Sequence, residues 1–133
     1  MSLRKLIFVI DDDPGMRRTI ERLLKVYGFD VELFESAETF LANANLRDGG
    51  CLVLDIHLGG MSGIELMHKL ALSGISVPVI FITGKDGEIA RNAALEAGCV
   101  AYLTKPFAAK LLIDAIEKAL ETSSRPELIS GAT

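Results

Sequence analysis

A short apolar run that stops in a carboxylate, Cys51-Leu52-Val53-Leu54-Asp55, constrains this chain more than any other stretch. Its apolar residues are consecutive rather than spaced for a helix face. That is the pattern of a strand buried on both sides, and such strands belong mostly to parallel sheets covered by helices. Asp55 then stands at the strand's carboxyl end, the edge of an open α/β sheet where the loops form a ligand crevice. Taken alone, Asp55 reads equally well as a chemical group or as a cap on the next turn. A second strand candidate, Lys5 to Ile10, shifts the balance because it runs into Asp11, Asp12 and Asp13. Laid side by side, the two strands bring their acidic ends together. Two like charges about 4 Å apart repel by about 4 kcal/mol at an effective dielectric near 20, so the cluster calls for a cation. An all-oxygen donor set suits Mg²⁺, which keeps several waters and takes one or two carboxylates plus a phosphate oxygen.

The rest of the chain fits an α/β domain. Its 133 residues suffice for one core and are too few for two comfortable ones. Half the residues are hydrophobic and few are aromatic, so the core is built from Leu, Ile, Val and Ala. A formal net charge of −4 argues against a nucleic-acid surface, which needs a basic patch to neutralise phosphates. No apolar run approaches a membrane span and the N-terminus lacks a signal-peptide pattern, so the expected setting is cytoplasmic, with no membrane partner. Cys51 and Cys99 have no metal-binding spacing and read as free core thiols.

In chain order, Asp13 caps a helix that has Pro14 at its first position and runs to about Tyr27, with Ile20, Leu23, Leu24 and Tyr27 at helical spacing and Gly28 as its terminator. Asp30 to Phe34 reads as a strand. Ser36 caps a short helix to about Ala44, with Phe40 and Leu41 facing in, and Asp48, Gly49 and Gly50 form a polar loop before the Cys51 strand. Ser62 and Glu65 make a capping box for a third helix whose buried side is assigned to Leu66, Leu70 and Leu72. Val77 to Thr83 is a fourth strand, Asp86 caps a fourth helix ending at Gly98, Val100 to Thr104 is a fifth strand, and Ala108 to Leu120 is the last helix. Thr122 to Thr133 reads as a loose tail. Five strand–helix alternations give a parallel sheet with helices on both faces.

Six segments in this order and at these separations give the chain its likeness to a family. They are Val9-Ile10-Asp11-Asp12-Asp13-Pro14, Leu54-Asp55, Met61-Ser62-Gly63-Ile64-Glu65-Leu66, Phe81-Ile82-Thr83-Gly84, Glu96-Ala97-Gly98 and Tyr102-Leu103-Thr104-Lys105-Pro106-Phe107. Together they resemble the receiver domain of two-component response regulators, in wording nearest to receivers that precede a helix-turn-helix output domain. The likeness covers about Leu6 to Leu120 and gives a receiver over residues 4–121, with 122–133 as tail or linker. It implies a flavodoxin-like (βα)5 three-layer sandwich with strand order 2-1-3-4-5. It also implies that Asp55 accepts a phosphoryl group from a sensor histidine kinase or phosphotransfer protein. Asp11, Asp12, Asp55 and the backbone carbonyl of His57 are then the set for Mg²⁺ or Mn²⁺. Thr83, Gly84 and Lys105 serve the phosphate, Lys105-Pro106 is a cis bond, and Tyr102 takes part in a switch of the face made by the fourth helix, fifth strand and fifth helix. The readout is an output domain or partner, or a phosphorylation-dependent homodimer. The only catalysis expected is of the chain's own phosphorylation and dephosphorylation.

Plainer readings stand beside these. Lys105 alone reads as a turn lysine, Thr83 as a strand-end threonine, Tyr102 as a half-buried aromatic, Asp13 as a helix cap, and the side chains of His57 and His68 as solvated. Leu58-Gly59 stands where such receivers usually have Met-Pro, which removes a proline's constraint from the loop after Asp55 and points to a more mobile loop. His57 and Lys85 fall where the family tunes acyl-phosphate lifetime. The competing classes are a pseudo-receiver that keeps the fold without phosphorylation, a metal-dependent phosphatase with an Asp nucleophile, and a flavodoxin-like cofactor protein. The last needs a Ser/Thr- and Gly-rich phosphate loop after the first strand, where this chain has Asp11, Asp12 and Asp13.

Overall fold

Strand and helix alternate five times. The structure, a computed structural model, describes residues 6–46, 49–84 and 87–123. The elements are β1 (Leu6–Ile10), α1 (Pro14–Val26), β2 (Asp30–Phe34), α2 (Ala37–Asn43), β3 (Gly49–Asp55), α3 (Gly63–Leu72), β4 (Val79–Thr83), α4 (Glu88–Glu96), β5 (Ala101–Thr104) and α5 (Ala109–Ser123). Every strand pair is parallel and the order is β2-β1-β3-β4-β5, the order the family likeness implies. The chain reverses direction across the sheet between β1 and β3. That switch point opens a crevice at the strands' carboxyl ends.

Side-chain alternation splits the sheet into two apolar layers. Phe8, Ile10, Leu52, Leu54 and Phe81 point to the side covered by α2, α3 and α4, where Phe40, Leu66, Leu70 and Ala94 meet them. Ile7, Val9, Val53, Ile80 and Ile82 point to the side covered by α1 and α5, against Ile20, Leu24, Leu112, Ile113 and Ile116. Because β1 and β4 are buried on both faces, their sequences are continuously apolar. The first layer centres on Phe8, Phe34 and Phe40, whose rings lie 5.3 to 6.1 Å apart in tilted and edge-on pairs. Fully burying one such side chain contributes about 1.5–3 kcal/mol.

Several element ends differ from the sequence reading. β4 begins at Val79 rather than Val77, because Pro78 has no N–H for the ladder, although its carbonyl still accepts Leu52 N–H at 2.9 Å. β5 begins one residue later than expected, at Ala101. Gly49 and Gly50 belong to β3, not to a loop. A Cβ on Gly50 would fall 2.5 Å from Leu120 Cδ2, so glycine there lets α5 lie close to the strand. Leu72 is 90% exposed and contributes nothing to the buried side of α3, which is carried by Leu66 and Leu70, one helical turn apart. Tyr27 is the exposed C-cap of α1, and Gly28 follows with φ +86°. The N-cap of α4 is Gly87, without a side-chain cap. Asp86, the expected cap, lies outside the described residues, as do Lys5, Asp48 and Lys85. α5 continues to Ser123, and residues 124–133 of the expected tail also lie outside them.

Candidate functional site

Four strand ends build the site, at the edge where the β1, β3, β4 and β5 ladders stop. At the end of β1, Asp11 N–H donates to the Phe34 carbonyl at 3.1 Å, and the Asp11 side chain is wholly buried. Its Oδ1 accepts Asp13 N–H at 2.9 Å, and its carbonyl accepts Arg17 Nη1–H at 2.7 Å. Asp13 turns away to cap α1, where its Oδ1 accepts Gly15 N–H at 2.9 Å. Of the three consecutive carboxylates, Asp11 and Asp12 are thus left for chemistry.

At the end of β3, Ile56 N–H donates to the Ile82 carbonyl at 3.1 Å, which carries the β3–β4 pairing just past Asp55. Asp55 Oδ1 accepts His57 N–H at 2.9 Å. A Cβ on Gly63 would meet the Asp55 carbonyl oxygen at 2.5 Å, so glycine at the first position of α3 lets that helix start directly beside the strand end. At the end of β4, Thr83 is wholly buried and lies in register with Thr104. The Thr83 carbonyl accepts Lys105 N–H at 2.7 Å, and the Lys105–Pro106 bond is cis. Lys105 Nζ then lies 3.0 Å from Asp11 Oδ2 and 3.4 Å from Asp55 Oδ2.

Carboxylate oxygens of Asp11, Asp12 and Asp55 lie within 4.8 Å of one another, two from buried residues and one, Asp12, from an exposed residue. Such a donor set fits a hard divalent cation that retains part of its water shell through the exposed side. A cleft of about 430 Å³ opens beside Asp12, lined by Pro14, Arg17, Glu35, Ser36 and Gly59 as well. Burial pushes the Asp55 carboxyl above its usual range, and the charge of Asp11 adds to that, while the His57 N–H and Lys105 act against it. Burial acts to lower the Lys105 ammonium, but the hydrogen bond and charge of Asp11, followed by Asp55, outweigh it and leave Lys105 above the ordinary lysine value. The site thus holds a surplus of negative charge around one cation, the electrostatic condition for recruiting a second.

Asp11, Asp12, Asp55, Thr83 and Lys105 therefore meet at one sheet edge. Gly84 follows Thr83, and a Cβ there would find no atom within 4 Å. The His57 residue is exposed, as is His68 on α3. Tyr102 sits further away, in register with Phe81, packed on the α2–α3–α4 side of the sheet with its hydroxyl oxygen buried and Arg91 stacked 5.9 Å from its ring centre. Two neighbours of the site escaped the sequence reading. Arg17 braces the Asp11 carbonyl, and Glu38 on α2 accepts Met61 N–H at 3.0 Å across 23 residues of sequence. The Met61 N–H, and after it Glu38's own N–H, hold the Glu38 carboxyl below its usual range. Neither residue carries a local signal, since Arg and Glu on the first turns of helices look like ordinary surface charges.

A family model described as the response regulator receiver domain matches residues 7–117. Nodulation protein W of Bradyrhizobium diazoefficiens is 39% identical over 121 residues, covering 90% of this chain and 53% of that protein. Transcriptional regulatory protein FixJ of Rhizobium meliloti is 37% identical over 115 residues, covering 86% of this chain and 56% of that protein. The chain thus spans about half the length of these curated relatives. Among solved structures, the crystal structure of FixJ-N superposes with a TM-score of 0.83 at 37% identity, over 91% of this chain and 96% of the other.

Proposed function

Because this chain belongs to the response regulator receiver domain family, we propose that Asp55 is its phosphoacceptor and that phosphorylation there controls an output partner or domain. The observation that carries the reading is the meeting of Asp11, Asp12 and Asp55 within 4.8 Å, with Lys105 Nζ at 3.0 and 3.4 Å from two of them. An Asp55 carboxylate oxygen forms a bond to the phosphorus of a phosphohistidine as the phosphorus–nitrogen bond breaks, and the released electron pair returns to the imidazole. Loss of the phosphoryl group to water restores the carboxylate. Asp11, Asp12, Asp55 and the His57 backbone carbonyl would hold Mg²⁺ or Mn²⁺, which when bound neutralises charge on the transferring phosphoryl group. The residues do the positioning. Lys105 offers a fixed ammonium to the phosphoryl oxygens, and the Thr83 hydroxyl stands at the neighbouring strand end.

The donor is a sensor histidine kinase or a phosphotransfer protein, and the setting is the cytoplasm, where free thiols such as Cys51 and Cys99 persist. The remaining length of the relatives supports an output domain or partner. Among the described residues no helix is long and apolar enough to cross a membrane. Phosphate on Asp55 draws Thr83 toward it, and the adjustment passes to Tyr102 and the face of α4, β5 and α5, which carries exposed Ile89 and Leu111. Both states exist beforehand and the phosphate shifts their balance. The pseudo-receiver and phosphatase readings gain nothing from the geometry. Acetyl phosphate with Mg²⁺ is expected to add one phosphoryl group to the wild type by intact mass. Equal labelling of Asp55→Asn, or of the wild type in EDTA, would rule the site out.

A further inference from the structure

The loop between β3 and α3 leaves Asp55 directly and contains Gly59 and Gly60 in succession, the sequence of greatest backbone freedom. Its base is closed by Ile56 N–H to the Ile82 carbonyl and by Gly63 N–H to the Ile56 carbonyl at 3.0 Å. Its far end is held from outside, by Glu38 Oε2 accepting Met61 N–H at 3.0 Å. Gly60 has φ +78°, and a Cβ there would lie 2.8 Å from Glu38 Oε2, so the carboxylate occupies the space a side chain at position 60 would need. Glu38 is itself on a fixed support. It lies in the first turn of α2, behind Ser36, whose Oγ accepts Thr39 N–H at 3.0 Å, and α2 is anchored by wholly buried Ala37 and Phe40.

We propose that Glu38 is a positioning residue for the Asp55 site, tethering the glycine loop so that His57 keeps its backbone in place beside Asp55. The inference rests on the phosphoacceptor reading. His57 is the link, because its N–H already holds Asp55 Oδ1 at 2.9 Å while its carbonyl belongs to the proposed metal set. A loop free at Gly59 and Gly60 loses conformational entropy when a cation fixes it, and an external tether removes much of that cost beforehand. The side-chain carboxylate thus replaces the restraint that a proline within the loop would supply. Gly59 is not among the glycines with positive φ, and a Cβ on it would meet nothing within 4 Å, so neither the sign of φ nor a Cβ contact opposes proline at that position.

Calorimetric Mg²⁺ titration of the wild type, Glu38→Ala, Glu38→Gln and the double variant Glu38→Ala/Gly59→Pro tests this, together with amide exchange of Met61 in metal-free protein. Glu38→Ala is expected to weaken Mg²⁺ binding roughly tenfold, the low end of the effect of removing a group that orients a metal ligand. Its Met61 amide is expected to exchange faster. Glu38→Gln keeps an acceptor oxygen and is expected to stay within about twofold of wild type. Gly59→Pro is expected to restore most of the loss. Wild-type affinity in Glu38→Ala overturns the proposal, as does Glu38→Gln binding as weakly as Glu38→Ala, which would assign the effect to charge. A double variant no tighter than Glu38→Ala overturns it too. A wild type that takes up no Mg²⁺ overturns the phosphoacceptor reading itself, and this inference with it, a result distinct from the other three.

Discussion

Asp11 and Asp55 share one ammonium, Lys105, and without a second cation the fold carries an excess buried carboxylate. Burial has already pushed Asp55 upward, so its ionisation works against the folded state. A raised folded-state pKa means that this group's contribution to stability is fully present below the unfolded carboxylate value and is lost as pH rises through the folded one. In EDTA at neutral pH, Asp55→Asn is therefore expected to melt at a higher temperature than wild type, and the advantage is expected to vanish once acid has protonated Asp55 in both states. Thermal unfolding across pH checks it; a lower midpoint for the variant at neutral pH would overturn the electrostatic account. Cys51 makes a second residue-scale test, because burial pushes its thiol up to about 12 while Cys99 is only partly covered. Native protein at pH 8 is expected to label at Cys99 and not at Cys51, and denatured protein at both. Peptide mapping after alkylation reads the result. By the same linkage Cys51 supports the fold below the unfolded thiol value, near 9, and that support is lost as pH rises through about 12.

Individual elements are legible where one local pattern, an apolar run, an alternation or a cap, dominates. Unbroken apolar runs without helical spacing mark β1, β3 and β4, alternation marks β2, and the Ser62–Glu65 capping box marks the start of α3. Legibility failed where the deciding partner was remote in sequence. Gly50 reads as a loop residue until Leu120 is seen lying against it, and Leu72 reads as core until its position two residues after Leu70 turns it to solvent. The loop after Asp55 shows the same limit. Two glycines and a missing proline point to mobility, while the contact that bears on it, Met61 N–H donating to Glu38 Oε2 at 3.0 Å, comes from 23 residues upstream. Two substitutions separate buried from merely apolar positions. Phe40→Ala removes a wholly buried ring that packs edge-on against two others, and is expected to cost about 3–5 kcal/mol. Leu72→Ala is expected to stay within about 0.5 kcal/mol of wild type. Urea unfolding measures both, and comparable losses would mean that α3 buries a different face.

Across the whole molecule, parallel strand order and site are one fact: the order β2-β1-β3-β4-β5 puts the ends of β1 and β3 side by side and brings β4 and β5 next to them. That is why Asp11, Asp55, Thr83 and Lys105, spread over most of the chain, converge. The acidic ends were readable as a candidate pair from two apolar runs alone, while Lys105 was indistinguishable from a turn lysine until family likeness and structure placed it. The proposed route from Asp55 to the α4–β5–α5 face crosses the molecule from the sheet edge to its surface. With beryllofluoride as phosphate mimic, partner binding or dimerisation is expected to respond in wild type and much less in Thr83→Ala and Tyr102→Ala, and equal responses would exclude that coupling. The position of the phosphoryl group on the chain can be read directly. After reaction with a phosphodonor and Mg²⁺, borohydride reduction of the acyl phosphate and peptide sequencing are expected to mark residue 55 alone. Marking at Asp11, Asp12 or Asp13, or no mark anywhere, would contradict the assignment of Asp55 as the phosphoacceptor.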